Sequence, residues 1–69
     1  MLESEVRIIL RAHGWRWRVH TPYHQTYVYA RRRKKGAPRS KFEERYIAPL
    51  SRLPELTEAE LVRKLTESP

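Results

Sequence analysis

The sequence predicts an α+β fold: a three-stranded antiparallel sheet with an N-terminal and a C-terminal helix packed on one face, in the order α-β-β-β-α. Three observations lead there. Apolar residues recur at helical spacing near both ends of the chain, and the segment between them alternates apolar and basic residues with a period of two. Proline, glycine and serine then divide that middle segment into three stretches of strand length. With 69 residues the chain is read as one small domain, 1–69. It is far too short for a catalytic domain of the Rossmann, barrel or kinase kind.

In the first element, Leu2, Val6, Ile9 and Leu10 form one apolar stripe, and Gly14 after His13 suits a left-handed helix cap. A helix of about twelve residues is marginal alone, so the stripe must pack on something. Trp15, Trp17 and Val19 then alternate with Arg16, Arg18 and His20, giving a strand with one apolar and one basic face. Thr21-Pro22-Tyr23-His24 breaks it.

The second strand is expected from about Gln25 to Arg33. Val28 and Ala30 fall on one side, and Tyr27, Tyr29, Arg31 and Arg33 on the other. Gly36, Pro38 and Ser40 mark a loop flanked by Lys34, Lys35 and Arg39. The third strand, about Lys41 to Ile47, places Phe42 and Tyr46 on its apolar side and Lys41, Glu43 and Arg45 on the other. Glu44 breaks this pattern, since it shares parity with Phe42. Pro49 ends the strand. Thr57 and Glu60 form a capping box, Leu56 and Leu61 a hydrophobic staple, and Leu61, Val62 and Leu65 the apolar face of the last helix. Glu58 and Glu60 suit the positive end of its dipole, Arg63 and Lys64 the negative end.

Composition narrows the function. No cysteine is present, which excludes disulfides and thiolate metal sites. No apolar run reaches membrane length, and a soluble cytoplasmic protein without a cofactor is expected. The net charge is +7. It is concentrated: residues 15–45 hold ten basic side chains against Glu43 and Glu44, whereas residues 1–14 are neutral and 46–69 carry one net negative charge. A field gathered on one segment favours an extended polyanion.

If both helices cover the Trp15/Trp17/Val19 face, the opposite face shows Arg16, Arg18, Tyr27, Tyr29, Arg31, Arg33, Lys41 and Arg45, with Lys34, Lys35 and Arg39 in the adjoining loop. Guanidinium groups grip phosphate bidentately and aromatic rings stack on bases, so these residues are the candidate nucleic-acid-binding set. Tyrosine and arginine also pair across any exposed sheet, but that does not explain the imbalance of sign. Trp15 and Trp17 are assigned to the core, whose small size calls for their area. His24 is the only candidate catalytic residue, as a general base, and a histidine in a hairpin turn is also an ordinary finding. His20 and His24 stand four apart outside any helix and have no acidic neighbour, so no metal site is expected.

Two resemblances bear on these residues. Gly14-Trp15, then Pro22-Tyr23-His24-Gln25 and Tyr27, resembles the HicA-type messenger-RNA endonuclease toxins. That family has the α-β-β-β-α fold of double-stranded RNA-binding domains and carries Gly-Ser-His-His before its tyrosine. The resemblance implies that His24 matches the catalytic histidine. Residues 15–50, through Tyr27-Val28-Tyr29-Ala30-Arg31 and Arg45-Tyr46-Ile47, are similar to the three-stranded arm-type DNA-binding domains of phage integrases, whose sheet enters the major groove. The double-stranded RNA-binding domain itself begins its last helix with Lys-Lys, where this chain has Glu58 and Glu60.

The expectation is a nucleic-acid-binding domain that uses the solvent face of its sheet and the basic loop, with RNA placed ahead of DNA on the order of its elements. Two alternatives stand beside it: a HicA-like ribonuclease using His24, and an interaction module docking an acidic protein. The sequence does not specify an oligomeric state.

Overall fold

Helix α1 spans Glu3–Ala12 in the computed structural model, which describes residues 1–34, 36 and 41–67. Strand β1 is Arg16–His20, β2 is Tyr27–Arg33, β3 is Phe42–Pro49, and helix α2 is Glu58–Thr66. Short 3-10 turns at Pro22–His24 and Leu50–Glu55 complete the chain. The expected α-β-β-β-α order is the one observed. The sheet is antiparallel with strand order β1-β2-β3, so β2 is central. Both helices lie on one face, α1 against β1 and α2 against β3, and they touch each other.

The core draws on nearly every element. Val6 and Leu10 come from α1, Trp15 from the link to β1, Val28 and Ala30 from β2, and Ile47 from β3. Leu53 and Leu56 come from the segment before α2, and Leu61 and Leu65 from α2 itself. Burying a side chain of leucine or valine size contributes about 1.5–3 kcal/mol, and these contacts hold two helices too short to persist alone. Leu2, expected on the α1 stripe, is instead 68% exposed. It occupies the N-cap in extended conformation, so the helical period does not reach it. Ile9 packs on the core only in part.

Gly14 turns the chain from α1 into the sheet. Its φ is +82°, its N–H donates to the Arg11 carbonyl at 3.0 Å, and the Trp15 N–H donates to the Leu10 carbonyl at 2.8 Å. These two bonds form a Schellman cap, and its usual apolar clasp is supplied by Leu10 and Trp15, both buried. At the other helix, Thr57 Oγ1 accepts from the Glu60 N–H at 3.2 Å, and the staple residues Leu56 and Leu61 are both in the core.

Strand β3 departs from expectation in one respect that reshapes the surface. Tyr29 pairs with Tyr46 and Val28 with Ala48, so Ile47 is an extra residue, a bulge. Paired residues share a face. Phe42, Glu44 and Tyr46 therefore lie with Arg33, Arg31 and Tyr29 on the open side, while Glu43 and Arg45 lie with Arg32 and Ala30 on the helix side. The sequence pattern puts Phe42 and Tyr46 on the apolar side of this strand; the core is served instead by Ile47, which is fully buried. Lys64 from α2 donates to the Ile47 carbonyl and thereby satisfies the outer rim of the bulge. Pro49 closes the strand, which an edge position tolerates.

The Gly14 cap carries a test. A Cβ at position 14 would meet no atom within 4 Å, so Gly14→Ala probes backbone conformation alone. It should cost about 1–2 kcal/mol, the penalty for an L-residue in the left-handed region. At about 4–8 °C per kcal/mol for a domain of this size, thermal denaturation followed by circular dichroism resolves that loss. D-alanine introduced by chemical synthesis should restore the melting temperature.

Candidate nucleic-acid interface

The open face is set by strand pairing. Arg16 stands opposite Arg31, Arg18 opposite Tyr29, and His20 opposite Tyr27. On the other flank Arg31 faces Glu44, Tyr29 faces Tyr46, and Arg33 faces Phe42. Four arginines thus share this surface with one glutamate. Of the candidate residues, Arg16, Arg18, Tyr27, Tyr29, Arg31 and Arg33 are brought together as expected. Lys34 and Lys41 sit at the base of the β2–β3 connection, where the Lys34 N–H donates to the Lys41 carbonyl at 3.5 Å. Lys41 precedes β3 and is not part of the sheet face. Lys35 and Arg39 lie outside the described residues.

Arg45, expected on this face, points instead to the helix side, because the register pairs it with Ala30. There its Nη2 donates to Glu43 Oε1 at 3.1 Å, while Arg32 Nε donates to Glu43 Oε2 at 3.0 Å. Both guanidinium groups lie over the Trp15 indole, at 4.2 Å for Arg32 and 5.8 Å for Arg45. The three side chains roof the tryptophan and leave it only 2% exposed. Cation–π contact and hydrogen bonding to one carboxylate make Arg32 and Arg45 structural.

The remaining arginines differ in freedom. Arg31 is held: its guanidinium lies 3.9 Å from the Phe42 ring centroid, and its Nε is 3.7 Å from Glu44 Oε1. That separation gives Coulomb attraction without a hydrogen bond, and the buried Nε–H has no acceptor among the described residues. Arg16, Arg18 and Arg33 are exposed and make no ion pair among the described residues. β2 and β3 run on beyond Arg16, and the overhang leaves a groove at the edge of the sheet, lined by Arg16, Arg18, Arg31, Arg33 and Phe42 of the open face together with Gly14, Trp17 and Arg32.

The tyrosines make a second patch on the same face. The Tyr46 ring centroid lies 5.6 Å from that of Tyr29, edge to face, and 6.2 Å from that of Tyr27. The Tyr27 hydroxyl donates to Gln25 Oε1 at 2.7 Å. Phe42, Tyr46, His20 and Glu44 also lie on this surface, beyond the candidate set that the sequence pattern supplies. The signal was present in the parity of Glu44, which belongs on a solvent face and takes Phe42 and Tyr46 with it.

His24 lies in the Pro22–His24 turn at φ +68°, next to Tyr23 at φ +50°, and is exposed. Its ring makes no hydrogen bond among the described residues. The turn is at the Tyr27 end of β2, and the seven residues of that strand place it about 20 Å from Arg33. Among the described residues no cluster of three or more histidine, aspartate or glutamate side chains is placed to hold a metal. No described helix is long and apolar enough to cross a membrane.

The Glu43 bridge gives a pH dependence. The hydrogen bond from Arg32 holds its carboxyl below the usual range, opposed by desolvation and reinforced by the charge of Arg32 and by Arg45. The folded value therefore lies below the unfolded one. The bridge therefore contributes fully above the unfolded value, and that contribution is lost as pH falls through the folded value. Glu43→Gln should lower the melting temperature near neutrality, and its gap from wild type should close as melts are repeated at progressively more acidic pH.

No family model, no curated protein and no solved structure matches the chain.

Proposed function

We propose that this protein binds nucleic acid, RNA ahead of DNA, through the open face of its sheet and the basic β2–β3 connection. One observation carries the reading: Arg16 and Arg31 are a directly opposed cross-strand pair on a face that also bears Arg18 and Arg33 and only one acid. Like charges placed opposite each other destabilise a sheet. Such an arrangement acquires a purpose when anionic groups lie over it, and a phosphate backbone supplies them in series. Residues two apart on one strand are about 6.6 Å apart, so Arg16 and Arg18 engage successive anions and not a single one. The tyrosine patch beside them offers ring edges and hydroxyls to bases and sugars. The placing of RNA first rests on the order of elements shared with RNA-binding folds of this type.

Arg16, Arg18 and Arg33 carry the affinity in this reading, because Arg31 is already stacked and paired. The triple variant Arg16→Ala/Arg18→Ala/Arg33→Ala should keep its circular dichroism spectrum and lose most of its nucleic-acid affinity. Binding of the wild type should weaken steeply with salt, each lost phosphate contact reducing the log–log slope by about 0.7–0.9. Filter binding across single- and double-stranded RNA and DNA reads both quantities. Affinity no better than micromolar at low salt for all four, unchanged by the triple substitution, would end the reading. An acidic protein bound through the same arginines would then take its place.

A further inference from the structure

The groove at the Arg16 edge of the sheet has a neighbour. A second groove lies between α1 and β1 and is lined by Arg7, Arg11, Trp15, Arg16 and Trp17. Gly14, Arg16 and Trp17 belong to both. The basic surface therefore does not stop at the rim of the sheet; it turns round the edge of β1 and continues onto the helix. That edge is open, since β2 is the only described strand that pairs with β1. At the turn, the Arg7 guanidinium lies 5.0 Å from the Trp17 ring centroid, a planar cation stacked on a partly buried indole. Arg11, one turn further along α1, is exposed and makes no ion pair among the described residues. Arg7 pairs with Glu3 at 3.3 Å, but both side chains are more than half exposed, and such a pair exchanges readily for a phosphate.

We propose that a single strand of nucleic acid crosses the β1 edge at Arg16 and Trp17, laying its phosphates on Arg7 and Arg11 and stacking one unpaired base on the Arg7–Trp17 pair. This rests on the nucleic-acid reading above and adds strandedness to it. A duplex is disfavoured on this path by its bending stiffness. Its persistence length is about 150 base pairs, whereas the path bends sharply round a molecule only 21 Å across its shortest dimension. A single strand bends there freely, and its bases are available for stacking on guanidinium and aromatic planes.

The test is fluorescence anisotropy with labelled oligouridine and oligothymidine, each alone and annealed to its complement. The protein should bind the single strands at least about tenfold more tightly than the duplexes, the yield of one base stack. Arg7→Gln and Arg11→Gln sit on exposed helix positions and leave the core untouched. Each should weaken single-strand binding several-fold, reduce its salt slope by about 0.7, and leave duplex binding unchanged. Single strands should also quench tryptophan emission, and Trp17→Phe should remove that quench. Equal affinity for single strand and duplex, or no response to Arg7→Gln and Arg11→Gln while the triple arginine variant of the sheet face still loses affinity, overturns the crossing path and spares the sheet-face reading. Absence of binding to every probe overturns both.

Discussion

Val28, Ala30 and Ile47, packed beneath two short helices, are the contact on which the molecule depends. The aliphatic side chains cover one side of the three-stranded sheet; the other side carries Phe42 and the tyrosines among arginines. Once α1 and α2 have taken the aliphatic side, each strand must send alternate residues into water, and the composition of the outward positions becomes the character of the protein. The caps serve the same contact. The Gly14 turn brings Trp15 back over Leu10, and Thr57 starts α2 at the point where Leu61 can reach the sheet. Each makes a helix of nine or ten residues long enough to be useful.

Against this frame the arginines of the middle segment divide into two groups. Arg32 and Arg45, joined by Glu43, form a lid over the indole at one end of the core. Arg31 is intermediate, stacked on Phe42 and drawn to Glu44. Arg16, Arg18 and Arg33 do none of this. Consecutive residues in Arg31-Arg32-Arg33 thus serve different purposes, because a strand sends neighbours to opposite faces. Treating the run as one basic cluster would miss the division.

The architecture was legible in the sequence because its signals were redundant. Helical period, capping residues and turn residues agreed at α1 and α2, and alternation in Trp15–Val19 and Tyr27–Arg33 fixed the faces of β1 and β2. β3 is the exception, turning inward the face opposite to the one its aromatic residues suggest. Hydrophobicity assigns Phe42 and Tyr46 to the core, whereas the parity they share with Glu44, and which Ile47 opposes, assigns them to solvent. The bulge at Ile47 cannot be read from residue types, since it is the partner strand that shows two residues facing one. That single reversal moved Arg45 inside and brought Phe42 and Tyr46 out. The groove between α1 and β1 was equally out of reach: Arg7 and Arg11 belong to a segment with no net charge, and only packing places them beside Trp17.

The unpaired side of β1 has one more consequence. An antiparallel self-pairing centred on Arg18 would set Arg18 against its own copy and Arg16 against His20, with Trp17 against Val19. The apolar contacts would favour such a ribbon and the guanidinium groups oppose it, which is how natural edge strands are kept from extending into aggregates. Colloidal stability in this protein is therefore tied to ionic strength: added salt screens the repulsion that keeps one copy from templating the next.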